Sequence, residues 1–210
     1  MLFSMQLIGM LDSPYVRRVA ISLRYLGIAF EHKSVSVFST FEQFQRINPV
    51  VKAPTLVCDD GEVLMDSTLI LEYAEALAAP QTLMPSGIAE RQHALRIIGL
   101  AIAACEKTVQ TVYERNLRPP EKHHEPWLAR IRGQMLAAYG ALETEAHRKP
   151  LTMDQAGITA AVAWKFTLGI LPGAVTVSEY PALQEFSAQA ERLAEFIAFP
   201  PDGPGVPAAR

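Results

Sequence analysis

Three short stretches carry residue types able to do chemistry, and each stands where a helix or strand is expected to begin. In "DSPYVRR", residues 12–18, Ser13 precedes Pro14. Proline is favoured at the first helical position and serine at the cap before it, so capping alone accounts for the pair. The same place has a second use, because the amides and dipole of a helix start favour an anion to which the Ser13 hydroxyl can donate. In "VVKAPTL", Pro54 stands directly before a strand. A trans proline is tolerated there, and only about 5–6% of X-Pro bonds are cis in folded proteins. In "MDST", Ser67 beside Asp66 reads as the cap of a second helix, and so as a second place for an anion. Each stretch is ordinary punctuation by itself, but together they put two helix starts and a proline turn on one small sheet.

The elements that must position them follow from periodicity. "MQLIG" at 5–9 suits a short buried strand, and Val16, Val19, Ala20, Leu23 and Leu26 form a helical stripe ending at Gly27, an expected left-handed cap. Residues 29–37 alternate as a second strand, and a strand, helix, strand run makes a right-handed parallel pair. A short helix is expected over 40–46. Asp60-Gly61 between "TLVC" and "EVLM" predicts a two-residue hairpin turn with positive φ at both positions. Ser67 then opens a helix with Leu69, Ile70, Tyr73, Ala74 and Leu77 expected inward, giving the order βαβ, α, ββα. From residue 88 strand signals stop, and helices are expected over 88–117, 125–146, 152–168 and 181–197. The expected division is an α/β domain over 1–80, an all-helical domain over 88–200, and an extended or mobile tail over 201–210, rich in proline and glycine.

Composition narrows the function. The chain has 210 residues, half of them hydrophobic, enough for a buried core. A net charge of −3 with both signs interspersed offers no basic face to a nucleic-acid backbone. No apolar run approaches the roughly 20 residues of a membrane span, and the first residues lack a signal-peptide pattern, so a soluble cytoplasmic protein is expected. Cys58 and Cys105 are too far apart for a redox or zinc motif and read as small buried hydrophobes.

The three stretches, in this order and spacing, resemble the cytosolic glutathione S-transferase family, in its bacterial form with a serine in the N-terminal active-site motif. "SPYVRRV" resembles that motif, "NPVVKAPTLV" the family's Asn-Pro…Val-Pro-x-Leu segment, and "MDSTLILEYAE" its Glu/Asp-Ser, Ile-x-x-Tyr segment. The resemblance covers nearly the whole chain and implies a thioredoxin-like N-terminal domain followed by an all-helical one. Position by position, it implies that Pro54 is cis and that Ala53 pairs its amide and carbonyl with the cysteinyl unit of glutathione. Ser67 and the amides at its helix start would hold the γ-glutamyl carboxylate, and Asp66 would lie near the γ-glutamyl amine. Lys52 would contact the glycyl end, although Val51 stands where the family often has glycine. Ser13 would face the sulfur. A thiol with a pKa near 8.5 is only about 3% thiolate at pH 7, and the two-unit drop that makes it mostly thiolate needs roughly 2.7 kcal/mol.

Tyr15 is the alternative donor, because some classes use tyrosine. Serine rather than cysteine at position 13 argues against the thiol-exchange branch, since serine forms no mixed disulfide. The resemblance therefore implies a transferase that turns glutathione, its co-substrate, into a thiolate for attack on a small hydrophobic electrophile, with no metal, and acting as a homodimer. The alternative is a non-catalytic binding or stress-regulatory protein on the same fold. Other features read as structural: His123-His124 as a solvated loop, Thr152 with Gln155 as a capping box, and Arg17 and Arg18 as solvated surface, the alternative being that one of the two arginines faces the cleft or a partner subunit. Glu106, Tyr113 and Arg115 are candidates for the second-substrate pocket, with their facing undecided by periodicity.

Overall fold

The computed structural model describes residues 5–207. Contacts divide them into two units: one runs to Met84 and includes Ala194–Gly203, and the other comprises Pro85–Leu193 with the described residues from Pro204. This differs from the expected division at the C-terminal end, where residues read as helical domain and tail group with the first unit.

The first unit contains β1 (Gln6–Ile8), α1 (Pro14–Tyr25), β2 (Glu31–Lys33), α2 (Phe41–Ile47), β3 (Thr55–Val57), β4 (Val63–Met65) and α3 (Ser67–Ala78). The sheet order is β2-β1-β3-β4, with β1 and β2 parallel and the other pairs antiparallel. This is the α/β arrangement that the sequence order βαβ, α, ββα predicts. The strands are shorter than expected, and β1 stops before Gly9, whose φ of +141° turns the chain. A side chain could not replace that glycine, since its Cβ would lie 2.6 Å from Val16.

Leu7 and Ile8 are adjacent and both fully buried, the mark of a strand covered on both faces. Leu7 and Leu56 pack with Val16, Val19, Leu23, Ile70, Leu71 and Ala74 from α1 and α3. Ile8 packs on the other side with Val35 and Phe44.

Several expectations are corrected here. Arg17 and Arg18 are buried rather than solvated, at 1% and 3% exposure. The Arg17 Nε donates to the Phe199 carbonyl at 2.8 Å and its guanidinium lies 5.5 Å from the Phe196 ring, both in the returning segment. That segment supplies an acceptor and an aromatic face, which together make burial of the cation tolerable. The α3 helix buries Ile70, Leu71 and Ala74, while Leu69, Tyr73 and Leu77 are exposed at 59%, 37% and 50%. An apolar helix carries two competing i, i+4 stripes, and the sheet takes the one that starts at Ile70. In the hairpin, the Gly61 amide bonds to the Cys58 carbonyl and the Cys58 amide to the Glu62 carbonyl. The loop is therefore three residues, Asp59 to Gly61, and only Gly61 has positive φ.

The second unit is helical: α4 (Ile88–Leu117), α5 (Glu125–Arg148), α6 (Gln155–Ile170) and α7 (Pro181–Ala190). The helix expected over 181–197 is two, since α8 (Ala194–Ile197) is separate and belongs to the first unit. Inside the second unit, Thr108, Thr167 and Tyr139 join hydroxyls at 2.8 and 2.6 Å, satisfying three buried polar groups from three helices. The cap of α6 is Asp154 and not the expected Thr152: Asp154 accepts from the Ala156 and Gly157 amides, and Thr152 supports it with a hydroxyl bond at 2.8 Å. No helix among the described residues is long and apolar enough to cross a membrane.

Candidate functional site

Sheet register brings the three sequence stretches to one end of the sheet. Ile8 pairs with Thr55 and Thr55 with Met65, so the next residues outward are Gly9, Pro54 and Asp66. The β1 strand leaves this end toward Ser13, β3 enters from Pro54, and β4 leaves into Asp66-Ser67. Gly9 lies against both neighbours, because a Cβ there would be 2.6 Å from Val16 and 3.2 Å from the Ala53 Cβ. The Gly9 carbonyl is held by the His32 Nε2 at 2.8 Å, which ties the turn before Ser13 to β2.

Ser13 caps α1 as expected. Its Oγ accepts from the Val16 amide at 3.4 Å and its carbonyl from Arg17. The hydroxyl proton has no acceptor among the described residues, so the group that caps the helix still has a bond to donate. Pro14 occupies the first helical turn, and Tyr15 is half-buried beside it.

The Ala53–Pro54 bond is cis. Neither the amide nor the carbonyl of Ala53 has a hydrogen-bond partner among the described residues, which leaves one backbone donor and one acceptor for an extended ligand to pair with. Asn48, buried at 4%, frames this loop. Its Nδ2 donates to Thr55 Oγ1 at 2.8 Å, its Oδ1 accepts from the Val50 amide, and its carbonyl from the Val51 amide. The loop forces Val51 to a φ of +53°. That conformation is unfavourable for a β-branched residue, and the contact of Val51 with the Ile8, Val35 and Phe44 cluster offsets part of the cost.

The cap of α3 is Asp66 rather than Ser67. Asp66, at φ +75°, accepts from the Thr68 amide at 2.9 Å and pairs with the Lys52 ammonium at 3.4 Å. Burial pushes the Asp66 carboxyl up, but the Thr68 amide and Lys52 outweigh it and hold the group below the ordinary carboxylate value. Ser67 is the first helical residue, 5% exposed, and its Oγ accepts from Arg18 Nη1 at 3.2 Å. Arg18 also reaches Thr68 Oγ1 at 3.4 Å. Arg18 and Asn48 are the residues that reading the sequence misses here. A buried arginine has no local signature, whereas Asn48 had one in the Asn-Pro pair that opens the loop.

The remaining candidates stand on other elements. Glu106, Tyr113 and Arg115 are all on exposed positions of α4. His123 bonds the Arg118 carbonyl and His124 uses its backbone amide on Glu114. Among the described residues no group of three or more His, Cys, Asp or Glu side chains is placed to hold a metal ion. Cys58 and Cys105 form no disulfide, and burial raises the Cys58 thiol pKa despite a hydrogen bond with Tyr73, so that thiol is a poor nucleophile.

A fold that sets a cis-proline turn and two helix starts on one sheet end defines a class, and comparison with known proteins gives the family. Residues 7–82 match the model for the glutathione S-transferase N-terminal domain. The chain is 30% identical over 162 residues to an uncharacterised GST-like protein, YibF, of Escherichia coli K12, covering 76% of this chain and 80% of that one. It is 36% identical over 89 residues to a probable maleylacetoacetate isomerase of Caenorhabditis elegans, 41% of each. Among solved structures, a glutathione transferase family member from Pseudomonas fluorescens Pf-5 with bound glutathione superposes with a TM-score of 0.85 at 29% identity, over 95% of this chain and all of that one. The chain belongs to the glutathione S-transferase family.

Proposed function

We propose that the chain is a glutathione transferase that binds glutathione at this sheet end and holds its sulfur as a thiolate for attack on the electrophilic carbon of a small apolar substrate. The observation that carries the reading is the register row Ile8, Thr55, Met65, beyond which the turn leading to Ser13, the cis Ala53–Pro54 bond and the Asp66-Ser67 helix start all leave from one end of the sheet. The bound glutathione of the Pseudomonas relative supports the choice of ligand.

In this reading the Ala53 amide and carbonyl pair with the cysteinyl unit as a short added strand would. Ser67 and the first amides of α3 take the γ-glutamyl carboxylate, and the Asp66 carboxylate takes the neighbouring ammonium. Ser13 donates to the sulfur, and the dipole of α1 favours the charge there. Lys52 faces the glycyl carboxylate, but it already pairs with Asp66 at a half-exposed site. Trading one exposed carboxylate for another is worth little, so Lys52→Met should change glutathione affinity by less than about fivefold in a calorimetric titration.

The mechanism is tested by Ser13→Ala. The pKa of bound glutathione should rise by about one unit or more while affinity changes little, because a single donor to the charged form is lost. Unchanged turnover and thiol pKa would remove Ser13 from the mechanism and return attention to Tyr15. Glutathione binding with no thiolate at neutral pH would favour the non-catalytic binding reading instead. The exposed stripe of Leu69, Tyr73 and Leu77 on α3 supports a homodimer as part of this proposal. Sedimentation of a Leu69→Arg, Leu77→Arg variant as a monomer, against a dimeric parent, is the expected result.

A further inference from the structure

We propose that Arg18 is a positioning residue for ligand recognition, fixing Ser67 as a hydrogen-bond donor and making the start of α3 selective for a carboxylate over its neutral amide. The inference rests on the glutathione reading above. Arg18 and Ser67 are both at least nine-tenths buried, and the Arg18 Nη1 contacts the hydroxyl oxygens of Ser67 and Thr68 at 3.2 and 3.4 Å. A guanidinium only donates and stays charged at any working pH. A serine oxygen that accepts from it is therefore left with one proton to give, and among the described residues the Ser67 proton has no acceptor.

Asp66 takes the Thr68 amide as the helix cap. Beyond the amides that Asp66 occupies, the start of α3 presents to an incoming group a buried hydroxyl with its proton left to donate, with a permanent positive charge behind it. Both favour an anion over a neutral amide, because the guanidinium charge and the donated proton are each worth more to a charged acceptor than to a neutral one. The glutathione carboxylate that fits is the one on the γ-glutamyl α-carbon, because its neighbouring ammonium then meets Asp66. Lysine cannot take over fully, since one ammonium on a flexible stem does not hold two hydroxyls in a fixed plane.

Calorimetry with two ligands tests this on wild type, Arg18→Lys and Arg18→Met. One ligand is glutathione, and the other is glutathione with its γ-glutamyl α-carboxylate converted to the primary amide. Arg18→Met should weaken glutathione about tenfold or more and change the amide analogue by less than about twofold; Arg18→Lys should fall between for glutathione and leave the analogue alone. Equal loss for both ligands would make Arg18 merely structural and overturn the proposal, as would unchanged glutathione affinity in Arg18→Met. Should Arg18→Met fail to fold, the same ratio in Arg18→Lys decides. A wild-type chain that binds neither ligand would overturn the glutathione reading itself and this inference with it, whereas wild-type binding without the differential overturns Arg18 alone.

Discussion

Asp66 concentrates two tasks on one carboxylate, capping α3 and pairing with Lys52, and does so from a backbone φ of +75°. Its pKa in the folded chain is lowered from the ordinary 3.8, because the Thr68 amide and Lys52 outweigh the upward push of burial. A lowered folded pKa means that its contribution to stability is complete above the ordinary carboxylate range and is lost as pH falls through the folded value. Melting temperatures should therefore drop below about pH 4, and Asp66→Asn should flatten part of that acid loss while weakening glutathione about tenfold at neutral pH. At this scale the Ser13 cap was legible, because capping is a local rule. The second cap was placed one residue late, since Asp66 and Ser67 are both good caps and only the backbone at Asp66 decides between them. The burial of Arg17 and Arg18 was not legible: the Arg17 bond to Phe199 spans 182 residues.

Among the elements, α6 depends on a close approach at its start. A Cβ on Gly157 would stand 1.9 Å from the Thr152 carbonyl oxygen and 2.9 Å from the Phe186 ring. Gly157→Ala should destabilise the chain by about 3 kcal/mol, read as a lower denaturant midpoint, because a backbone oxygen cannot turn aside as a side chain can. The helices of the second unit were predicted closely, α4 most of all, since long periodic stretches with proline breaks are strong signals. Which stripe of α3 faces the sheet was not legible, because its two apolar faces differ little in sequence and the choice is made by packing. The Asp60-Gly61 turn signalled a hairpin correctly, but its length depends on how the ladder closes at Cys58 and Glu62.

For the whole molecule, the segment Ala194–Gly203 returns to the first unit, where Phe199 stacks on Phe30 at 5.7 Å and accepts from Arg17. The Tyr25 hydroxyl, with its pKa pushed up to about 12 by burial and by Glu195, belongs to the same attachment. Arg17→Met keeps the length of the side chain but loses the charged bond to the Phe199 carbonyl, and should cost about 2 kcal/mol in denaturant unfolding with an unchanged slope. Proline and glycine in the last stretch had suggested an extended or mobile tail, and only tertiary contact reveals the anchor before it. Fold and family were readable from three motifs and a run of helices; the electrophile was not, because one scaffold serves many reactions. The central claim is that this chain turns glutathione into a thiolate, and the direct measurement is ultraviolet difference absorbance of the glutathione complex as a function of pH. A thiolate signal that is already mostly developed at pH 7, with an apparent pKa about two units below that of free glutathione, is the predicted result. Saturating binding whose thiolate appears only near the pKa of the free thiol would contradict it.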